Sequence, residues 1–238
     1  RQFGSSGYDI AFSITVDSTG VYIAGFTEGI FPGQTSYGYN DAFFAKFDQR
    51  FGFWDVDTDG RSDLTVWRPG TGIWYKLPSS SPSSYSSILW GLAGDAPVAG
   101  DYDGDGKGDV AVWRPSSGVW YVRPSGTTGY TSTGWGISSD IPVPGDYDGD
   151  GKTDIAIWRP NTGIWYIRPS GAPNNYMAIS WGMNGDIPVP GDYDADGKTD
   201  LAVRRPGGGI WYMRRSSVKG GYTSTAWGKA SDIPVPGD

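Results

Sequence analysis

The sequence predicts an all-β fold, a β-propeller assembled from four-stranded blades, and three observations carry that reading. An acidic cluster starts at Asp55, Asp101, Asp146 and Asp192, and a further copy opens at Asp238, giving spacings of 46, 45, 46 and 46 residues. A fixed period of this size belongs to a solenoid, a propeller or an array with one supersecondary unit per repeat. Within each repeat, short apolar runs alternate with Gly- and Pro-containing turns, and no stretch sustains a 3.6-residue period. Four such runs in about 45 residues suit a propeller blade. A solenoid is the alternative.

The runs follow one another in fixed order. First comes "DIPVPGD" (140–146, 186–192, 232–238) or "DAPVAGD" (95–101). Its prolines cannot donate to a ladder, so it belongs on a sheet edge, the place of a blade's innermost strand. After the acidic loop comes "DLTVWRP" (63–69), "DVAVWRP" (109–115), "DIAIWRP" (154–160) or "DLAVRRP" (200–206). In "DIAIW", Ile155 and Ile157 point to one face and Ala156 and Trp158 to the other, so both faces are apolar. Such a strand is expected between neighbouring sheets. A small Gly-containing turn then leads to "IWYKLP", "VWYVRP", "IWYIRP" or "IWYMRR", and a polar segment ends in Trp-Gly at Trp90, Trp135, Trp181 and Trp227.

Residues 1–50 lack the acidic loop but read as three strands, at about 9–17, 20–27 and 41–48, with a tight turn "DSTG" between the first two. Fifty residues bury too little surface to fold well alone. They are therefore read as a blade of a second repeat type within one propeller domain. Residues 51–238 supply four complete blades plus a truncated fifth copy. The expectation is about five blades in this chain, as a whole propeller or as part of a larger propeller or array.

Composition narrows the chemistry. The chain has no Cys and no His, so it has no disulfide, no thiolate–metal site, and neither the commonest general base nor the commonest ligand of zinc, copper or iron. No apolar stretch is long enough to span a membrane as a helix. The formal charge of −7 conceals an asymmetry, because 16 of the 26 acidic residues lie in the four clusters. The remaining ten face 19 Lys and Arg, so the body of the protein is basic and its acidity is local. Localised acidity of this kind points to bound cations.

The four loops all follow D-x-D-x-D-G-x-x-D. Their carboxylates are Asp55, Asp57, Asp59 and Asp63; Asp101, Asp103, Asp105 and Asp109; Asp146, Asp148, Asp150 and Asp154; and Asp192, Asp194, Asp196 and Asp200. Carboxylates at positions 1, 3 and 5 can converge on one cation, Gly at 6 allows the sharp turn, and Asp at 9 closes the shell. The backbone carbonyl at position 7, that of Arg61, Lys107, Lys152 or Lys198, adds a further ligand. Oxygen-only ligands from a loop favour Ca²⁺ over Mg²⁺, about one ion per loop and four in all. The loop is not an EF-hand, since position 12 holds Val66, Val112, Ile157 or Val203 and the flanks are strands. A solvated Asx-turn without metal is the bland alternative for one loop. Four complete copies argue against it. Four Ca²⁺ would move the net charge from −7 to about +1. Their role would be to clasp the inner strand of a blade to the next.

At these residues the chain resembles the FG-GAP/VCBS repeat family of calcium-clasped blades, also found in integrin-type propellers. The resemblance covers roughly 51–238 and implies that positions 1, 3, 5 and 9 of each loop are the calcium ligands. Two departures stand out: Arg204, where the other repeats have Trp, and Ala195, where two loops have Gly. Through "RQFG", "DSTGVYIAGFTEG", "PGQTS" and "DAFFAKFD", residues 1–50 resemble the bacterial SBBP β-propeller repeat. Both resemblances imply a secreted or cell-surface bacterial protein with no assigned catalytic activity.

Function is read accordingly as a non-catalytic binding or adhesion module, with a glycan or a surface protein as partner. The rings considered for a glycan are Trp67, Trp74 and Tyr75 with their repeats Trp113, Trp120 and Tyr121, then Trp158, Trp165 and Tyr166, then Trp211 and Tyr212. Packing between blades is the competing role for each. The alternative function is a structural subunit of an extracellular fibre or surface layer. "RQFG" and "DIPVPGD" at the two ends both read as pieces of cut blades, which raises the expectation of a longer polypeptide or of head-to-tail self-assembly. An enzyme is the weakest reading, because the single Glu, Glu28, sits in an ordinary loop and nearly every Asp belongs to the repeat. Nucleic acid is excluded as a partner, because the Arg residues recur singly in "WRP" and "RPS" and form no basic patch.

Overall fold

Runs rich in β-branched and aromatic residues, bounded by Gly and Pro, become strands throughout the computed structural model. The structure describes the backbone of residues 9–17, 20–27 and 41–47, and residues 55–234 apart from Thr58 and Gly60. The chain divides into two units, residues 1–51 and 52–238. In the first, β1 (Asp9–Asp17), β2 (Gly20–Thr27) and β3 (Asp41–Phe47) form one antiparallel sheet with β2 in the middle. These are the three strands expected from the sequence, the last ending one residue earlier. Asp17 pairs with Gly20, and the register of β1 on β2 shifts between Ala11 and Ser13.

The second unit carries four antiparallel sheets that succeed one another as the blades of a β-propeller. The first blade has β4 (Leu64–Arg68), β5 (Ile73–Leu77) and β6 (Ser86–Leu89). The second has β7 (Ala96–Pro97), β8 (Val110–Arg114), β9 (Val119–Arg123) and β10 (Thr131–Gly134). The third has β11 (Ile141–Pro142), β12 (Ile155–Arg159), β13 (Ile164–Arg168) and β14 (Met177–Ser180). The fourth has β15 (Ile187–Pro188), β16 (Leu201–Arg205), β17 (Ile210–Arg214) and β18 (Thr223–Ala226). The Pro-containing strands β7, β11 and β15 are edge strands, as their missing N–H groups require. The last residues of the truncated copy, 235–238, lie outside the described residues. No α-helix occurs among the described residues, and so none that could cross a membrane.

The core lies in the seams between consecutive blades. Trp74 of the first blade packs with Val110 and Val112 of the second. Trp113 and Trp120 pack with Ile157 of the third, and Trp158 and Trp165 with Leu201 and Val203 of the fourth. Both faces of β12 are sealed, since Ala156, Ile157 and Trp158 are all buried. The tryptophans are cross-strand neighbours, Trp113 opposite Trp120 and Trp158 opposite Trp165. Their indole N–H groups need acceptors when buried. Trp113 and Trp120 both donate to the Trp135 carbonyl (3.2 and 3.0 Å), and Trp158 and Trp165 to the Trp181 carbonyl (3.1 and 2.9 Å). Trp90, Trp135 and Trp181 in turn donate across the seam to the carbonyls of Tyr121, Tyr166 and Tyr212 (3.1, 3.1 and 3.3 Å). One tryptophan set thus fills each seam and stitches it.

The turn between the two long strands of a blade needs glycine for a stated reason. Gly163 has φ +65°, and a Cβ there would lie 2.3 Å from the Gly182 carbonyl oxygen. A side chain at that position would break the hydrogen bond from Trp181 N–H to the Gly163 carbonyl. Nearby, the Arg that ends the second strand of the second, third and fourth blades forks onto the Asp that opens the inner strand. Arg114 binds Asp95, Arg159 binds Asp140 and Arg205 binds Asp186, each through Nε at 2.8 Å and Nη2 at 2.9 Å. The same guanidinium groups lie 4.5–4.7 Å above Tyr121, Tyr166 and Tyr212, which makes the stacking partner Tyr. Each of these carboxylates is nearly sealed from water, so the fork neutralises a charge that could not otherwise be buried.

Truncating a seam tryptophan leaves a cavity and takes away one of the two indole donors to the carbonyl that it shares. Trp165→Ala is expected to cost about 3–5 kcal/mol, read as a lowered urea midpoint at unchanged m-value.

Candidate metal centre

The second, third and fourth acidic loops each open at the end of a Pro-containing segment and are pinned by their position-2 tyrosine. Tyr147 is buried and donates its hydroxyl to the Val143 carbonyl at 2.7 Å, and Tyr193 does the same to Val189 at 2.8 Å. The first loop has Val56 at that position. Gly at position 4 has φ +79° in Gly104 and +78° in Gly149, and the Lys of the following loop lies close over it. A Cβ on Gly149 would sit 2.8 Å from Lys198 Cε. Ala195 occupies the same position in the fourth loop with φ +58°. It bears the left-handed strain, but no described loop follows to crowd its methyl group.

The loop turns its backbone N–H groups onto its own carboxylates. Asp101 Oδ1 accepts from Gly104 N (2.6 Å) and Asp105 N (3.2 Å), and its Oδ2 accepts from Gly106 N (2.8 Å). Asp109, at position 9, is fully buried and accepts from Tyr102 N (2.9 Å) and Ser125 N (2.7 Å). Asp105, at position 5, accepts from Lys107 N (2.8 Å) and the Ser125 hydroxyl (2.6 Å). The third loop repeats this pattern through Asp146, Asp154 and Asp150.

The structure brings positions 1, 3 and 9 of every loop together. Asp55, Asp57 and Asp63 each offer an oxygen within 4.8 Å of the others, as do Asp101, Asp103 and Asp109, then Asp146, Asp148 and Asp154, then Asp192, Asp194 and Asp200. The position-5 residues Asp59, Asp105, Asp150 and Asp196 lie outside these groups and are held by serine hydroxyls instead. Those serines, Ser79, Ser125, Ser170 and Ser216, are members of the site that motif reading passed over. Their signal was present: each follows the position-9 Asp by 16 residues. The position-7 residues Arg61, Lys107, Lys152 and Lys198 donate their N–H to the position-5 carboxylate at 2.8–2.9 Å. Lys198 also reaches back across the seam, its Nζ 2.9 Å from the Asp148 carbonyl.

Successive loops are joined in series. Gly108 N donates to the Asp55 carbonyl (3.4 Å), Thr153 N to Asp101 (2.6 Å) and Thr199 N to Asp146 (2.6 Å). The position-8 residue of one loop therefore fixes the first residue of the loop before it.

Two like charges about 4.8 Å apart repel by roughly 3 kcal/mol at an effective dielectric near 20. Burial adds to this and pushes the Asp109 and Asp154 carboxyls up to about 6, against the downward pull of their backbone hydrogen bonds. Asp101, Asp146 and Asp200 are raised for the same first cause. Asp57 is lowered, chiefly by the Ser80 hydroxyl. Asp194 Oδ1 is buried and has no hydrogen-bond partner. Three converging carboxylates and an orphaned carboxylate oxygen are the donor set of a hard cation, so each of the four groups could hold one.

A raised carboxyl favours the protonated folded state. In metal-free protein the stability contributed by Asp109 and Asp154 is therefore present near pH 4 and lost as pH rises through about 6. Metal-stripped protein is expected to melt at lower temperature at pH 7 than at pH 5. Adding a divalent cation should abolish that drop, and scanning fluorimetry at the two pH values checks both.

Comparison with known families places the repeats. The FG-GAP-like repeat model matches residues 55–112, 101–157 and 146–203, and the FG-GAP repeat model matches 184–227. These matches begin at the first acidic loop and leave residues 1–50 outside. A search among curated proteins finds no match.

Proposed function

The chain belongs to the FG-GAP-like repeat family, and we propose that it is a non-catalytic, calcium-stabilised extracellular binding or adhesion module. The observation that carries the calcium reading is the convergence of three carboxylates in all four loops. In each loop the Asp at positions 1, 3, 5 and 9 and the carbonyl of Arg61, Lys107, Lys152 or Lys198 would hold one Ca²⁺. The bound charge would offset the carboxylate repulsion and lock loops that are already joined in series. Secretion fits an ion that is plentiful outside cells.

A glycan is the ligand class that the exposed aromatics suit. The rings singled out in sequence are mostly spent on packing, since Trp74, Trp113, Trp120, Trp158 and Trp165 are buried. A different set is available. Trp90 meets Tyr130, Trp135 meets Tyr176 and Trp181 meets Tyr222 at centroid distances of 5.3, 5.6 and 5.4 Å. The three tyrosines are about 60% exposed (62, 62 and 59%), one beside each seam, and offer a repeated platform for sugar rings. The second reading, a fibre or surface-layer subunit, has its own observation. Leu64 and Val66 are 71 and 62% exposed and Trp227 is 75% exposed, while their counterparts in the seams are covered. Those two faces are the halves of the interface that recurs between the blades, so copies could join head to tail.

Mass spectrometry under native conditions is expected to show about four Ca²⁺ per chain, with a lowered melting temperature in chelator. Asp150→Ala should weaken one site and spare three; a chain that binds no calcium would sink the reading. A glycan array should show binding that the triple change of Tyr130, Tyr176 and Tyr222 to Ala removes. Filaments under electron microscopy with a silent array would favour the structural subunit instead.

A further inference from the structure

We propose that the seam between the third and fourth blades contains a binding pocket for a medium-chain amphipathic carboxylate. The cavity there measures about 290 Å³, at the small end of ligand pockets, which start near roughly 300 Å³. Its floor is aliphatic: Ile167, Met177 and Ile179 from the third blade face Leu201 from the fourth. The only aromatic lining residue, Tyr147, is buried and its hydroxyl is committed to the Val143 carbonyl, so no stacking platform for a sugar is present. An alkyl chain suits that floor.

The rim is cationic. Arg214, Arg215 and Lys219 line it, and no acidic residue does. Among the described residues none of these three side chains forms an ion pair. In the fourth loop Asp200 and Asp196 accept from Ser216, and Asp194 accepts from Ser217 through Oδ2. Arg215 Nε is buried and has no hydrogen-bond partner. A buried donor left unmet asks for an acceptor, and a guanidinium matches a carboxylate in bidentate geometry.

The repeat pattern isolates the same residue. Arg215 stands where the other three units have Pro78, Pro124 and Pro169. It departs from the repeat where a cavity opens. The pocket borders the third and fourth acidic loops through Tyr147, Thr199 and Ser216, but none of the loop aspartates and none of the exposed tyrosines lines it.

The test is calorimetric titration of the full chain, in calcium-containing buffer, with octanoate, octylamine and octanol. Octanoate is expected to bind saturably at one equivalent, with octylamine and octanol weaker by about tenfold or more. Arg215→Pro installs the residue of the other repeats and should weaken octanoate by about tenfold or more at an unchanged melting temperature. Arg215→Gln serves the same purpose if the proline variant does not fold. Ile179→Trp, which fills the floor, should abolish binding. No saturable octanoate binding, equal affinity for octylamine, or unchanged affinity in the Arg215 and Ile179 variants would overturn the proposal.

Discussion

Each acidic loop gathers three carboxylates within 4.8 Å of one another, and the rest of the second unit is arranged to tolerate that repulsion. Backbone N–H groups point inward, and the serine sixteen residues beyond position 9 binds both Asp109 and Asp105 in the second blade. The tyrosine at position 2 ties the loop back to the Pro-containing segment before it. Because the position-8 N–H of each later loop reaches the position-1 carbonyl of the one before, the loops form a continuous spine across the blades. Whatever neutralises one loop therefore stiffens the contact with its neighbour.

The tryptophan seams provide the second line of cohesion, and they work on different physics. Large rings remove apolar surface from water without regard to charge, while their indole N–H groups set the register of one blade on the next. The Arg–Asp forks close the opposite end of the same unit by burying a charge only together with its partner. Loop, seam and fork recur at one period, and the second and third blades carry all three in the same form.

The departures from the period collect in the fourth blade. Arg204 replaces the seam tryptophan, is buried, and donates to the Lys229 carbonyl. Ala195 accepts a left-handed backbone where other loops use Gly. Arg215 replaces a proline beside a cavity. Ala195 is accommodated locally, while Arg204 and Arg215 each leave a buried donor unmet. Of the two only Arg215 lines that cavity, and for that reason it carries a functional suggestion that the others do not.

The sequence by itself determined the strands, the blade period, the edge position of the proline segments and the gathering of each loop's aspartates, which it read as positions 1, 3, 5 and 9 together. These follow from local rules: alternation, turn chemistry, a missing N–H, and the short reach of a nine-residue loop. It also showed both faces of β12 to be apolar, and burial of Ala156, Ile157 and Trp158 agrees. Tertiary structure alone decided which rings are spent and which are free. Trp165 and Tyr166 are adjacent in sequence, yet one is buried and the other lies partly exposed beneath Arg159. The exposed Tyr176 meets Trp135 of the preceding blade, 41 residues away. The split between positions 1, 3 and 9 and position 5 was equally hidden, because a serine from the turn after a later strand competes for that carboxylate. Contacts that cross a seam depend on how two blades dock, and a local pattern holds no record of that distance.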